Sequence, residues 1–144
     1  MKSWPIAVIL LLMALGSAGC LQAEKPMEAR PSKAATLRVP GENASVQSPF
    51  QATADSLAEG KRTYNIYCKT CHGESGKGGE MVTQRFEYLP ADLTRPVVAG
   101  RTDGELFWLI SKGVNGTEML PWEDLLGEER RWDLVNYIRT LQAK

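Results

Sequence analysis

The stretch Cys68-Lys69-Thr70-Cys71-His72 decides the reading of this 144-residue chain. Two cysteines three positions apart can close two thioether bonds to the vinyl groups of a haem. The histidine that follows at once can reach the iron, and the run as a whole is the pattern of c-type haem attachment. Three other readings compete: a redox dithiol, half of a zinc site, and a chance run. A redox Cys-x-x-Cys belongs beside a βαβ pattern, and none is found here. A structural zinc site needs four ligands, whereas His72 is the only histidine and the one remaining cysteine, Cys20, lies far upstream. The run therefore predicts one covalent haem c, with His72 on one face of the iron.

The other face must be filled by something else. Of the five methionines, Met1 and Met13 fall in an export segment and Met27 in a proline-punctuated stretch, which leaves Met81 and Met119. Met119 stands between two apolar helical patterns, in a loop where Gly113 and Gly116 permit tight turns and Pro121 stiffens the segment bearing the sulfur. Met81 is nine residues past His72. The chain would have to turn sharply to carry that sulfur across the iron, so Met81 reads as loop or core filler. Met119 is expected as the second axial ligand. The alternative is that it packs and leaves the sixth position open. Imidazole plus thioether favours a raised potential and leaves no place for substrate, an arrangement for moving one electron. An open position would instead suit a haem enzyme or a gas sensor, although no second histidine exists to act as a distal acid or base.

Upstream of the haem run the chain reads as targeting and tether. Lys2 supplies a positive start, Ile6 to Leu15 an apolar core, and Ser17-Ala18-Gly19 small residues before Cys20, the pattern of an export signal over residues 1–19. The apolar run is too short to cross a bilayer, which takes about 20 residues. The ending resembles a bacterial lipoprotein signal, with Cys20 lipidated as the first mature residue; Ser17 stands where leucine is usual. The alternative is ordinary secretion with a free Cys20 thiol. Residues 20–54 hold Pro26, Pro31, Pro40 and Pro49 with one aromatic, Phe50, and no sustained apolar period, so they are expected to form a flexible linker. Fully extended, such a linker would reach roughly 110 Å.

The folded domain is expected over residues 55–144. Ser56 and Glu59 have capping-box spacing, and Leu57, Tyr64, Ile66 and Tyr67 support a helix running into Cys68. Gly60 interrupts it in a way that suggests close backbone packing. The run Gly73-Glu74-Ser75-Gly76-Lys77-Gly78-Gly79 must be a loop. Thr102-Asp103-Gly104-Glu105 is a second capping box for a short apolar helix stopped at Gly113, and Leu134, Val135, Ile138 and Leu141 mark a last helix from about Glu128. These elements make an all-α domain of about three helices around one haem, too small to bury a self-sufficient core without it.

The balance of 17 basic and 17 acidic residues, with no basic stripe, excludes nucleic acid as a partner class. Lys61, Arg62, Lys69 and Lys77 surround the attachment run, while Glu118, Glu123, Asp124, Glu128 and Glu129 crowd the methionine side. Such runs read first as a solvated face and second as an orienting field for a redox partner.

Taken together, residues 55–142 resemble class I cytochromes c, the shared features being Gly60 and Tyr64 ahead of the haem run, Met119 with Pro121, and Arg131-Trp132-Asp133-Leu134-Val135-Asn136-Tyr137-Ile138. The resemblance implies an all-α fold around one covalent haem, with Gly60 and Tyr64 crossing the last helix near Leu134 and Tyr137. Two departures stand out: Leu120 separates Met119 from Pro121, and Met81 lies near the place of a proline whose carbonyl usually holds the histidine's Nδ1 proton. Pro90-Ala91-Asp92-Leu93 and Thr102–Trp108 look most like the tethered monohaem cytochromes of bacterial respiratory chains, such as the monohaem subunit of alternative complex III. That likeness implies a lipid-anchored electron carrier on the periplasmic side of a bacterial membrane, with respiratory complexes, terminal oxidases or reductases as partners. A mainly structural subunit is a third possibility.

Overall fold

The computed structural model describes residues 32–78 and 86–143; the export segment, Cys20 and Met81 lie outside them. Helices are the only regular elements among the described residues: α1 (Lys33–Thr36), α2 (Gly41–Ala44), α3 (Ala54–Tyr67), α4 (Lys69–His72), α5 (Pro96–Ala99), α6 (Asp103–Lys112) and α7 (Glu128–Gln142). None of them is long and apolar enough to cross a membrane. The three long helices are those expected from the apolar periods.

Thr53, not Ser56, opens α3: its side chain accepts from the Ser56 N–H at 3.2 Å. Ser56 serves the tertiary structure instead. Its hydroxyl donates to Asp133 Oδ1 at 2.6 Å and accepts from Asn136 Nδ2 at 2.9 Å, tying the start of α3 to α7. The second capping box forms as expected, with the Glu105 N–H on Thr102 Oγ1 at 3.2 Å and the Thr102 N–H on Glu105 Oε2 at 2.9 Å.

The α3–α7 crossing organises the domain. A methyl group added at Gly60 would lie 2.1 Å from the Asp133 carbonyl oxygen and 2.9 Å from Tyr137 Cβ, so the two backbones touch where the glycine sits. One turn on, the Tyr64 and Tyr137 rings tilt together with centroids 5.3 Å apart. Gly60 thus meets Asp133 and Tyr137 rather than Leu134. Leu134, Val135, Ile138 and Leu141 are all buried, joining Tyr64, Leu106 and Ile110 in one core. Phe107 of α6 stacks on Trp132 of α7 with centroids 4.1 Å apart, and the Arg131 guanidinium covers Phe107 at 4.7 Å. Arg139 then clamps the approach to α6, donating to Asp103 Oδ1 at 2.7 Å and to the carbonyls of Ala99 and Arg101 at 3.0 and 2.6 Å.

The stretch expected to be a flexible linker differs from that expectation wherever it is described. From Ser32 onward it lies across the domain as a strap. Arg101 Nη2 donates to the carbonyls of Ala34 and Leu37 at 3.0 and 2.7 Å, and Lys33 Nζ donates to the Asn115 carbonyl at 2.7 Å. The backbone of Asn43 and Val46 presses on Gly104, where an added methyl would meet the Asn43 oxygen at 2.1 Å; Ala34 and Phe50 rest on the core. A segment too polar to fold alone is ordered because one buried guanidinium satisfies its carbonyls with charge-assisted bonds.

Replacing glycine by alanine in an open helix position would gain about 1 kcal/mol. At Gly60 the overlap reverses the sign. Gly60→Ala is expected to lower the unfolding free energy of the haem-loaded protein by about 1–3 kcal/mol in denaturant titration. An increase would mean that α3 and α7 part without cost.

Candidate functional site

Cys68 ends α3, its N–H bonded to the Tyr64 carbonyl at 2.8 Å, and the chain continues directly into the single turn α4. The N–H groups of Cys71 and His72 return to the Cys68 carbonyl at 3.1 and 2.9 Å. Residues three and four apart on a helical turn share a face, so both thiols and the imidazole are presented together. Gly73 closes the turn at φ +73°, a conformation glycine adopts freely, and the Gly78 carbonyl occupies the space a side chain would need. The buried Tyr64 hydroxyl donates to the Gly73 carbonyl at 2.7 Å. Burial, with smaller contributions from Cys68 and Tyr137, pushes its ionisation far up, so it remains a donor.

His72 Nδ1 lies 2.9 Å from the Ala91 carbonyl. A carbonyl only accepts, so Nδ1 carries the proton and Nε2 keeps its lone pair for a metal. Burial lowers the His72 pKa, opposed in part by the Ala91 bond, which keeps that lone pair available to lower pH. The carbonyl is itself fixed: the next turn is tied by Leu93 N–H on the Gly76 carbonyl at 2.7 Å and by Gln142 Nε2 on the Leu93 carbonyl at 2.8 Å. Sequence reasoning left this acceptor without a candidate. A backbone carbonyl 19 residues along the chain has no side-chain signature that could have named it.

Met119 reaches the same place from the loop between α6 and α7. Gly113, at φ +66°, reverses the chain; a side chain there would strike the Met119 carbonyl at 2.5 Å and Leu120 C at 2.6 Å. The Val114 N–H donates to the Met119 carbonyl at 2.9 Å, the Met119 N–H to Thr117 Oγ1 at 3.2 Å, and Trp122 N–H returns to the carbonyls of Ile110 and Ser111. The sulfur-bearing residue is therefore held by the backbone on both sides, even with Leu120 between it and Pro121.

Cys68, Cys71, His72 and Met119 all line one cavity that opens to solvent. Tyr67, Val98, Leu106, Ile110, Trp122 and Ile138 supply much of an apolar wall. Trp122 lines this cavity and tilts against Tyr67 at 5.3 Å; Trp108 does not line it. Burial, with Cys71 nearby, pushes the Cys68 thiol up to about 12, and burial with the Glu118 carboxylate raises Cys71. A redox dithiol needs an electropositive setting that lowers its thiol pKa; these thiols have the opposite. Among the described residues no group of three or more His, Cys, Asp or Glu side chains could hold a bare metal ion. A large apolar hollow edged by two neutral thiols, an imidazole and a thioether fits a haem, whose ring needs apolar walls and whose iron takes such soft and borderline donors.

This fold and this hollow define a class I c-type cytochrome, with haem c as its covalent cofactor. The chain belongs to the family described as cytochrome c oxidase, cbb3-type, subunit III, which matches residues 55–138, more than half of its length. Haem-based electron transfer is the activity that this membership supports. No curated protein sequence matches it. Among solved structures, it is similar to a chain of the reducing HAO-like protein complex Kustc0457/Kustc0458 of Kuenenia stuttgartiensis, at 26% identity and a TM-score of 0.58 over 76% of this chain and 54% of that one. It thus spans about half the length of that relative. It is also similar to KustC0563, a c-type cytochrome, at 25% identity and a TM-score of 0.50 over 58% of this chain and 96% of that one.

Removing the Tyr64 hydroxyl would leave the Gly73 carbonyl without its donor. Tyr64→Phe is expected to cost about 1–3 kcal/mol of unfolding free energy in the haem-loaded protein. The Soret maximum should stay in place, because the ring and the attachment turn remain.

Proposed function

We propose that this chain is a one-electron carrier whose haem is attached through Cys68 and Cys71 and ligated by His72 and Met119. We further propose that lipid on Cys20 holds it to the periplasmic side of a bacterial membrane. The observation that carries this reading is that the two attachment cysteines and the two ligand residues, from two distant stretches of sequence, line one cavity. When bound, haem supplies a one-electron iron couple. The Ala91 carbonyl fixes the His72 ring and raises its basicity as a donor, as outer partners of ligating histidines do. Met119 contributes a soft sulfur that favours the reduced state, and the apolar walls keep water from the iron. Held by His72 on one side and Met119 on the other, the iron would have no place for a substrate, which suits carrying electrons rather than catalysing a reaction.

Exposed Leu120 and Leu125, each about three-fifths accessible, lie in sequence among the acidic Glu118, Glu123 and Asp124. Exposed apolar side chains beside carboxylates, of which Glu123 is paired with Lys112, suit a brief, small-area encounter with a redox protein. The partner class is a respiratory complex, terminal oxidase or reductase. The strap sharpens where that partner must be. Only the span from Cys20 to Ser32 separates a lipid from the first described contacts, and fully extended it reaches at most about 40 Å. The partner therefore presents its docking face close to the membrane.

Two experiments test this reading. Met119→Ala is expected to remove the weak far-red band of thioether ligation from the ferric spectrum and to let the reduced protein bind carbon monoxide, which the wild type ignores. A wild type that already binds carbon monoxide has an open sixth position, and the enzyme or sensor reading replaces this one. Cys20→Ser is expected to move the haem-stained protein from the membrane fraction to the soluble periplasm. Equal distribution of the two would remove the lipid anchor from the account.

A further inference from the structure

Among the described residues three buried side-chain polar atoms have no hydrogen-bond partner: Ser32 Oγ, Arg101 Nε and Trp132 Nε1. Trp132 lies in the core against Phe107, but Ser32 and Arg101 both line the haem cavity. A buried donor left without an acceptor costs about 1–3 kcal/mol, more where it is charged. Arg101 is otherwise fully engaged. Its side chain is 11% exposed, Nη2 holds the strap carbonyls of Ala34 and Leu37, and Nη1 faces Glu105 Oε1 at 3.3 Å. Nε is buried without an acceptor, and Lys33, a strap cation at the same cavity, already donates to the Asn115 carbonyl. Two donors on one cavity, one of them part of a guanidinium, call for an anionic acceptor that enters with the occupant. A haem brings two such groups, its propionate carboxylates, and arginine is the cation best shaped to bind a carboxylate.

We propose that Arg101 and Ser32 form the seat of one haem propionate, so that the strap upstream of the domain is part of the cofactor site. Arg101 then works in two directions: its Nη2 holds the strap by its carbonyls, and its Nε and the strap's own Ser32 hydroxyl hold the propionate. Haem loading and strap docking stabilise each other through this one side chain. The idea rests on haem c occupying this cavity and not on Met119 being its ligand.

The test is resonance Raman spectroscopy of the haem-loaded full chain, reading the propionate bending modes, which respond to hydrogen bonds on the carboxylates. The alkaline pyridine spectrum of the same samples reports covalent attachment independently. Ser32→Ala deletes one hydroxyl and leaves the Arg101 clasp intact; it is expected to shift one propionate mode. Arg101→Lys keeps the charge without the fork; it is expected to shift the same mode and to speed amide exchange in residues 33–37. Arg38→Ala, an exposed strap substitution outside the cavity, should leave the spectrum unchanged. If neither Ser32→Ala nor Arg101→Lys moves the mode in fully attached haem, water satisfies both donors and the proposal falls. A shift with Arg101→Lys alone overturns the strap's share in the seat.

Discussion

The contact between Gly60 and the Asp133 carbonyl, with no room for a methyl group between them, sets the geometry on which the haem cavity depends. It fixes how close α3 comes to α7, and α3 carries Cys68 at its end. Any separation of the two helices would move the attachment turn relative to Ile138, which walls the cavity from α7. Ser56 with Asp133 and Asn136 holds the crossing at one end, and the paired Tyr64 and Tyr137 rings hold it on the next turn. The Tyr64 hydroxyl then passes the constraint to Gly73, immediately after His72. A backbone contact thus reaches the metal-binding imidazole through one buried side chain.

That arrangement leaves the middle of the domain hollow. Core residues of α3, α6 and α7 line an apolar cavity that opens to solvent instead of closing fully on one another. A domain of this length has little apolar surface to spare, and an empty apolar cavity forfeits contacts in proportion to its size. The cofactor is therefore a structural element as well as a redox centre: its ring supplies the apolar partner that the inner faces of Leu106, Ile110 and Val98 would otherwise lack. Electron transfer and stability draw on the same surface.

The parts legible in the sequence were those governed by short-range rules. The Cys68–His72 run, the Thr102 capping box, the Gly113 stop and the apolar stripe of α7 each involve residues within about one or two turns of one another, where spacing alone dictates geometry. The parts that were not legible depend on partners far away. Ser56 had the right spacing for a cap, but a bond to Asp133, distant in sequence, claimed its hydroxyl and left the cap to Thr53. The Ala91 acceptor is 19 residues from His72 in sequence, and a backbone carbonyl carries no signature in its side chain. The strap looked disordered because its own composition cannot order it; the ordering cation, Arg101, belongs to another part of the chain.

That cation also changes what the upstream chain can do. A linker running unbroken from Cys20 to residue 54 would let the domain roam far from a lipid anchor, with a low effective concentration at any one membrane partner. Docking residues 32–46 on the domain removes the outer part of that range. The strap also reaches the Met119 loop directly, since Lys33 holds the Asn115 carbonyl within it. The first described residues of the strap and the loop that carries Met119 are thus joined directly. Under the proposed anchor, a pull on the upstream chain would be borne first by the bonds of Lys33 and Arg101, at the edge of the haem cavity, before it reached the α3–α7 crossing. If the proposed lipid anchor holds, the point where the strap leaves the domain would set the orientation in which the Met119 loop meets a redox partner.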